Sequence, residues 1–316
     1  MGNQKKNNAS YHGVLNVYKE KGFTSFDVVA KLRGILKQKK IGHTGTLDPD
    51  AEGVLVVCLG KATKLCEVLT DKDKSYEATL LLGKTTDTED SSGTLISEQE
   101  VCVTKEEVEE VMMSFVGEYD QIPPMYSAIK VQGKKLYELA REGITIEREP
   151  RRVVIHRLEI LDMDLPYVRF KVSCGKGTYI RSLCRDIGEK LGCGAIMDKL
   201  VRSSVESAET GKSFTKEDAL SLSEIEKLCQ EEQLEDYILP IDTLFPKLKK
   251  GYVNDEGNKK LYNGNFLKRQ DFARDSEIPD MEEGSQCLIY DKENKFVAIY
   301  QYKKNIYAWK PEKMFL

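Results

Sequence analysis

An α+β fold is what this chain of 316 residues predicts, and three observations carry the reading. Segments of helical and of strand periodicity alternate, but without the regular βαβ spacing of a doubly wound sheet and without an internal repeat. Hydrophobic residues make up 40% and charged residues 32%, an ordinary globular mixture that sets aside collagen-like, disordered and coiled-coil classes. The length suits about two domains, one with a substantial core and a smaller companion.

The elements follow in chain order. Ser25 is read as the cap of a helix in which Val28, Val29, Leu32, Ile35 and Leu36 share one face. Val54 to Leu59 is an apolar strand, and Tyr76–Leu82 another. Thr104 and Glu107 form a capping box before Val108, Val111, Met112 and Phe115 at helical spacing. Val153–Asp162 and Val168–Cys174 alternate as strands. Thr178 is read as the cap of a third helix, with Leu183, Ile187 and Leu191 on its buried stripe and Gly192 just past its end. A domain boundary is expected near Leu239-Pro240. Beyond it come Cys287–Tyr290, a turn at Asp291–Asn294, Phe296–Tyr302 and Ile306–Lys310, enough strand for a small β-barrel module.

Charge is uneven along the chain. Net charge is −4, yet residues 1–42 hold nine Lys/Arg against two Asp/Glu, and residues 130–157 hold eight against four. Residues 215–236 reverse this, with two against eight. Two basic regions beside one acidic region read as a polyanion-binding face and its back, or simply as solvated faces. Met1–Ser10 lacks the apolar stretch of a secretory signal, and Lys6 stands where a myristoylation motif after Gly2 wants Ser or Thr. No apolar run is long enough to cross a bilayer, so a cytoplasmic protein without membrane contact is expected. Eight scattered cysteines without Cys-x-x-Cys, and only three histidines, argue against zinc and against a disulfide framework.

Three segments concentrate polar chemistry. In Gly42-His43-Thr44-Gly45-Thr46-Leu47-Asp48-Pro49, two glycines and a proline crowd a loop that leads into a strand, without the Gly-Lys-Ser/Thr of a phosphate loop. Lys74-Ser75-Tyr76 opens a strand. In Gly177-Thr178-Tyr179-Ile180-Arg181, the arginine sits in the first helical turn, where the helix dipole disfavours a cation. A carboxylate partner explains that placement, and Asp48 and Asp90 are the two candidates.

Taken in order, these segments resemble the TruB family of tRNA pseudouridine synthases. Gly13-Val14-Leu15 through Lys19, Gly22, Thr24 and Ser25 is similar to the family's opening motif, Gly42–Gly53 to its catalytic-aspartate motif and Lys74-Ser75-Tyr76 to its Lys-x-Tyr motif. Pro123–Lys130 resembles its substrate-side signature, and Arg141, Gly143, Arg148 and Arg152 its basic tRNA-gripping insertion. Gly177–Gly188 is similar to its Tyr-Ile-Arg helix, Leu200 with Arg202 to its Leu-x-Arg motif, and the tail through Trp309–Phe315 to a divergent PUA-type RNA-binding module. Glu20, Asp50, Glu52 and Val201 depart from the family pattern.

The resemblance implies a mixed, mostly antiparallel sheet flanked by helices. It implies a catalytic domain over 1–240 with a basic insertion around 124–152, and a PUA-like module over 241–316. It further implies isomerisation of uridine-55 in the tRNA T-loop to pseudouridine, which needs no metal and no cofactor. Asp48 is then the carboxylate that attacks C1′ or takes a proton from C2′, both roles remaining open. Arg181 is its ion-pair partner. Tyr76 stacks on the uracil near the C5 proton, Tyr179 and Leu200 shape the pocket, and His43 wedges into the space the flipped base leaves. Asp90, Lys74, Lys130, Arg141, Arg152 and Arg202 complete the expected substrate-binding set, the basic groups holding phosphates. The implied partner is tRNA alone, bound by a monomer. Two other readings share these motifs: a T-arm folding assistant whose chemistry is incidental, and a guide-RNA-dependent synthase. The Asp48–Tyr76–Arg181 set favours catalysis over the first, and the Arg-rich insertion favours the stand-alone form over the second.

Overall fold

The protein is described here by a computed structural model over residues 10–70, 73–131, 133–207, 211–274 and 277–316. Gly2 and Lys6, read above for a lipid signal, lie outside these. The strands are β1 (Gly13–Lys19), β2 (Ile41–His43), β3 (Glu52–Leu59), β4 (Asp73–Leu82), β5 (Lys84–Thr86), β6 (Leu95–Glu98), β7 (Gly117–Gln121), β8 (Lys130–Val131) and β9 (Lys134–Lys135). They continue as β10 (Arg151–Asp164), β11 (Tyr167–Cys174), β12 (Ala195–Ser207), β13 (Lys212–Thr215), β14 (Lys249–Tyr252), β15 (Gln286–Tyr290), β16 (Phe296–Lys303) and β17 (Ala308–Met314). The helices are α1 (Ser25–Ile35), α2 (Cys66–Thr70), α3 (Lys105–Met113), α4 (Leu136–Arg141), α5 (Ile180–Leu191), α6 (Leu222–Gln230) and α7 (Asp255–Tyr262).

One nine-stranded sheet organises the larger part, in the order β1-β3-β12-β4-β11-β10-β7, with β2 on β3 and β13 on β12. Every pairing is antiparallel except a short parallel contact of β12 with β3, where Val201 and Arg202 face Glu52 and Gly53. This is the α+β sheet expected. The apolar run of β3 is explained by burial on both faces. Val54, Val56 and Cys58 face a cluster shared with the C-terminal strands, whereas Leu55, Val57 and Leu59 pack under α1 and α6. At the other end of the sheet, α3 and α5 cover β4, β11 and β12 through Val108, Met112, Leu183 and Ile187.

The helix boundaries show which side chains have other work. Thr104 and Glu107 form the capping box expected, and Gly192 ends α5 in the left-handed conformation at φ 76°. The first helix, however, is capped by Thr24 with Asp27 in a reciprocal box, not by Ser25. Ser25 is withheld because its hydroxyl accepts from the backbone N–H of Leu47 at 2.9 Å. Thr178 likewise does not cap α5; its hydroxyl donates to the carbonyl of Gly175, and the cap residue is Tyr179.

Leu239 still pairs with Val14 through two backbone hydrogen bonds of 2.9 Å, so the chain leaves the first sheet only after it. Strands β14 to β17 then form a second sheet in sequence order. The pairing is that of an open four-stranded sheet and not a closed barrel; on one face Leu288, Ile299 and Phe315 pack against Val54, Val56 and Leu65 of the first unit. The last strand begins at Ala308 instead of Ile306, since Lys304–Ile306 makes a 3₁₀ turn and Tyr307 takes a left-handed conformation at φ 49°. Among the described residues no helix is long and apolar enough to cross a membrane.

Candidate active site

The loop between β2 and β3 carries Asp48, and three side chains from separate elements hold its backbone. The ammonium of Lys19, fully buried at the end of β1, donates to the carbonyls of Pro49 at 3.1 Å and Ala51 at 2.6 Å. Ser25 clasps Leu47, accepting from its N–H and donating to its carbonyl at 3.3 Å. Arg202 on β12 donates to the carbonyls of Val54 at 2.6 Å and Gly45 at 3.2 Å. Gly53 permits that last approach: its φ is +103°, and a Cβ there would run into the backbone of Arg202. Loop carbonyls turned inward would otherwise be unsatisfied, so buried donors from three elements fix one loop conformation.

Asp48 meets Arg181 across the cleft. Nε of Arg181 lies 3.0 Å from Oδ2 and its Nη2 donates to Oδ1 at 3.2 Å, a two-point contact. Arg181 is 5% exposed and its remaining donors reach the carbonyls of Thr88 at 3.1 Å and Tyr126 at 2.9 Å. Asp90 stands on the far side of the guanidinium, 3.8 Å from Nη1. The arginine in the first helical turn therefore has both candidate carboxylates, in unequal roles. Asp48 leaves 37% of its side chain open to the cleft, whereas the Oδ1 of Asp90 accepts from Thr88 and from the backbone and hydroxyl of Ser92.

Electrostatics at Asp48 are a contest. Loss of hydration raises its carboxyl above the ordinary 3.8, the Arg181 charge pulls it down, and the like charge of Asp90 raises it again; the balance is upward. Arg181 thus limits a rise that burial imposes, and does not abolish it. Burial likewise pushes the Tyr76 phenol up to about 12, against the opposing Arg202 charge. His43 falls below its ordinary value through burial and the Arg202 charge, leaving a neutral ring whose Nδ1 accepts from Gly45 N–H at 3.4 Å.

Tyr76 on β4 faces Arg202 on β12, two residues from Leu200, which packs in the same cluster as Leu47 and Tyr76. Tyr179 comes in as the cap of α5. Asp48, Arg181, Tyr76, Tyr179 and Leu200 are therefore brought together from separate elements, and His43 lies beside the Arg202 charge. Three expected substrate contacts have protein partners of their own. Arg202 is 2% exposed and hydrogen-bonded to Tyr76 and to the loop, so it positions the aspartate and offers no cation to phosphate. Asp90 is a support behind Arg181. Arg152 lies on β10 with its fork on Asp120, at 2.8 and 3.2 Å. By contrast, Lys130 is exposed at the start of the β8–β9 hairpin, and Arg141 is exposed with its guanidinium 5.3 Å from the ring of Tyr137. Lys74 donates to the carbonyl of Thr70 at 3.2 Å, its stem alongside Gly45.

Two contributors were not legible as such in the sequence. Lys19 looked like one residue of an opening motif; its signal was a lone cation ending the apolar run from Gly13. Gln121 carried no signal at all, yet it is buried against the backbone of Tyr179. Among the described residues no three His, Cys, Asp or Glu side chains converge to hold a metal. Glu20, a departure from the family pattern, offers only its carbonyl to Lys19, which any residue supplies.

Solved structures share this architecture. A Cbf5-Nop10-Gar1 complex matches with a TM-score of 0.67 at 28% identity, covering 96% of this chain and 85% of that one. An H/ACA RNP bound to a substrate RNA containing 2′-deoxyuridine matches at 0.65 and 25%, with the same coverage. The sheet is that of a pseudouridine synthase. The family profile described as TruB family pseudouridylate synthase (N terminal domain) matches residues 33–180, and that of the tRNA pseudouridylate synthase B C-terminal domain matches 181–246. The tRNA pseudouridine synthase B of Lachnoclostridium phytofermentans is 54% identical over 96% of this chain and all of its own. That of Listeria welshimeri is 42% identical over 96% and 98%. The chain belongs to the TruB family of pseudouridylate synthases, which are isomerases. The 180/181 division of the profiles falls inside the sheet, since β12 pairs with both β3 and β4.

Proposed function

We propose that this protein converts uridine-55 in the T-loop of tRNA to pseudouridine, with Asp48 as the reacting carboxylate. The observation that carries the reading is the two-point Asp48–Arg181 contact, with Asp48 partly open to solvent and Tyr76 and Leu200 packed with Leu47 of its loop. The reaction is an isomerisation: the C1′–N1 bond breaks, the base turns, the C1′–C5 bond forms, the C5 proton leaves and N1 gains one. Nothing is oxidised or lost. The ionised Asp48 starts it, as nucleophile at C1′ or as base at C2′. Arg181 orients the carboxylate and opposes its protonation, while Tyr76 offers a ring face to the uracil. A phenol held near 12 is protonated at neutral pH, so Tyr76 serves as a hydrogen-bonding wall and not as a standing phenolate.

A T-loop uridine must be flipped out to reach Asp48, at a cost of a few kcal/mol. A neutral His43 at the end of β2 suits a wedge that stacks in its place. Lys130 and Arg141, exposed on the 124–152 insertion, supply phosphate contacts. Residues 1–240 act as the catalytic unit and 241–316 as an RNA-binding module, in a cytoplasmic monomer acting without a guide RNA. The Arg-rich insertion supports that last point.

The test is an unmodified tRNA transcript tritiated at uracil C5, given to wild type and to Asp48→Asn. Tritium release by wild type alone, with the label lost from the T-loop uridine, is expected. No release from either, with tRNA still bound, overturns the synthase reading and leaves a protein that folds the T-arm.

A further inference from the structure

The basic N-terminal region meets three other lysines at the seam between the two sheets. Lys40 precedes β2, and its carbonyl accepts from the backbone N–H of Gly60 at 2.8 Å. Lys61 follows Gly60, and its N–H donates to the ring Nδ1 of His12 at 3.2 Å. Lys64 lies one turn on, its ammonium donating to the carbonyl of Met314 at the end of β17. Lys295 comes from the turn between β15 and β16 in the second sheet. Lys40, Lys64 and Lys295 are exposed and Lys61 half-buried.

The four are gathered at one place: Lys64 reaches Met314, and the next residue, Phe315, donates its backbone N–H at 2.8 Å to the carbonyl of Val297, two residues from Lys295. Elsewhere on the C-terminal unit Lys249 pairs with Asp280, Lys260 with Asp271, Lys292 with Asp255 and Lys303 with Glu283. Among the described residues no carboxylate lies within ion-pair distance of Lys40, Lys61, Lys64 or Lys295. They act instead on one another. Burial and then the charges of Lys295, Lys64 and Lys40 hold Lys61 below the ordinary lysine value, and His12 is lowered by burial and by Lys61, Lys295 and Lys40. A seam that concentrates like charge is destabilising on its own, and the favourable condition for it is a bound polyanion.

The geometry points to a phosphate-binding surface formed jointly by Lys40, Lys61, Lys64 and Lys295, taking the backbone of an RNA stem that adjoins the target uridine. This rests on the uridine-isomerising reading above. Lys40 lies three residues along the chain from His43, about 10 Å at strand rise. Lysines are mobile point charges, not planar forks that match a base edge, so the surface suits register and affinity and not sequence readout. Because Lys295 belongs to the second sheet, one RNA would bridge both units and contribute to their relative placement.

The experiment measures Kd for an unmodified tRNA transcript at several salt concentrations, for wild type, Lys61→Gln/Lys295→Gln and the control Lys249→Gln/Lys259→Gln, whose lysines are ion-paired. The seam variant is expected to bind at least about tenfold more weakly at low salt, with the slope of log Kd against log salt reduced by about 2. The control is expected to track wild type, and unchanged unfolding temperatures show that both variants fold. An unchanged Kd and slope in the seam variant, or an equal loss in the control, overturns the surface. The C5-tritium assay on wild type separates the two proposals. No release with a reduced slope overturns the uridine reading and leaves an RNA-backbone surface; release with an unchanged slope overturns the surface alone.

Discussion

Gln121 holds the backbone of Tyr179 at both ends: its Oε1 accepts from the Tyr179 N–H at 2.8 Å, and its Nε2 donates to the Tyr179 carbonyl at 3.0 Å. Tyr179 caps α5 without a side-chain cap of its own, and a glutamine at the end of β7 does for the cap backbone N–H what the third-position Asp or Glu of a capping box does at other helix starts. Arg181 is two residues further on, and the clasp therefore also sets where the guanidinium points. Gln121→Ala leaves a buried N–H unpaired, which costs about 1–3 kcal/mol. Thermal unfolding should detect that loss, and kcat should fall more than KM rises, since the Asp48 contact is disturbed before RNA binding is.

The upward shift of Asp48 gives the pH profile a definite sign. With Asp48 in its proposed role the ionised carboxylate is the active form, so kcat should fall as pH drops through a value above the ordinary 3.8. Arg181→Lys keeps a charge but loses the fork, weakening the one strong downward influence, and its acid limb should lie at higher pH than that of wild type. A limb at the same or lower pH would contradict the pairing. Losing Arg181 altogether costs less than the 3–5 kcal/mol of a fully buried pair, because Asp48 is 37% exposed; about 1–3 kcal/mol is the expectation, read from denaturant unfolding.

Lys19 makes a prediction about stability. Burial lowers its ammonium from 10.5 to about 8, so between those values the unfolded chain binds more protons than the native one. Stability must then rise with pH across that window, by at most about 3 kcal/mol. Below pH 8 the desolvated charge is a standing cost, borne because it holds the Asp48 loop. Chemical denaturation of wild type and Lys19→Met from pH 7 to 10.5 checks this: the wild type should gain relative to the variant as pH rises.

Gly53 admits no side chain. Its φ of +103° disfavours any Cβ, and the backbone of Arg202 occupies the space one would enter. Gly53→Ala should therefore part β3 from β12 where they run parallel, at about 3 kcal/mol or more. A much lower unfolding temperature and loss of tritium release together are expected. A variant that melts like wild type would show that the strands can separate there at little cost.

Much of this was readable beforehand. The capping box at Thr104 and Glu107 and the left-handed Gly192 are local devices, decided within a few residues, and the sequence displayed them. The caps at Ser25 and Thr178 failed for a nonlocal reason: the Ser25 hydroxyl is taken by Leu47, 22 residues away, and Tyr179 is clasped from 58 residues away. Arg181 in an unfavourable helical turn announced a carboxylate, and motif order identified Asp48. Arg202 and Arg152 looked alike as cations in the sequence, yet the fold buries one under the loop and pairs the other with Asp120.

The sequence by itself determined the family and the candidate residues for isomerising a uridine, because residue type and motif order are properties of the chain. It also determined the α+β class, through periodicity that burial demands of strands and helices. Only tertiary structure decided which of those residues face the cleft, which hold its walls, and how far Asp48 departs from its ordinary titration. Those outcomes depend on burial and on charges brought together from distant positions, and neither is a quantity that a local stretch of sequence contains.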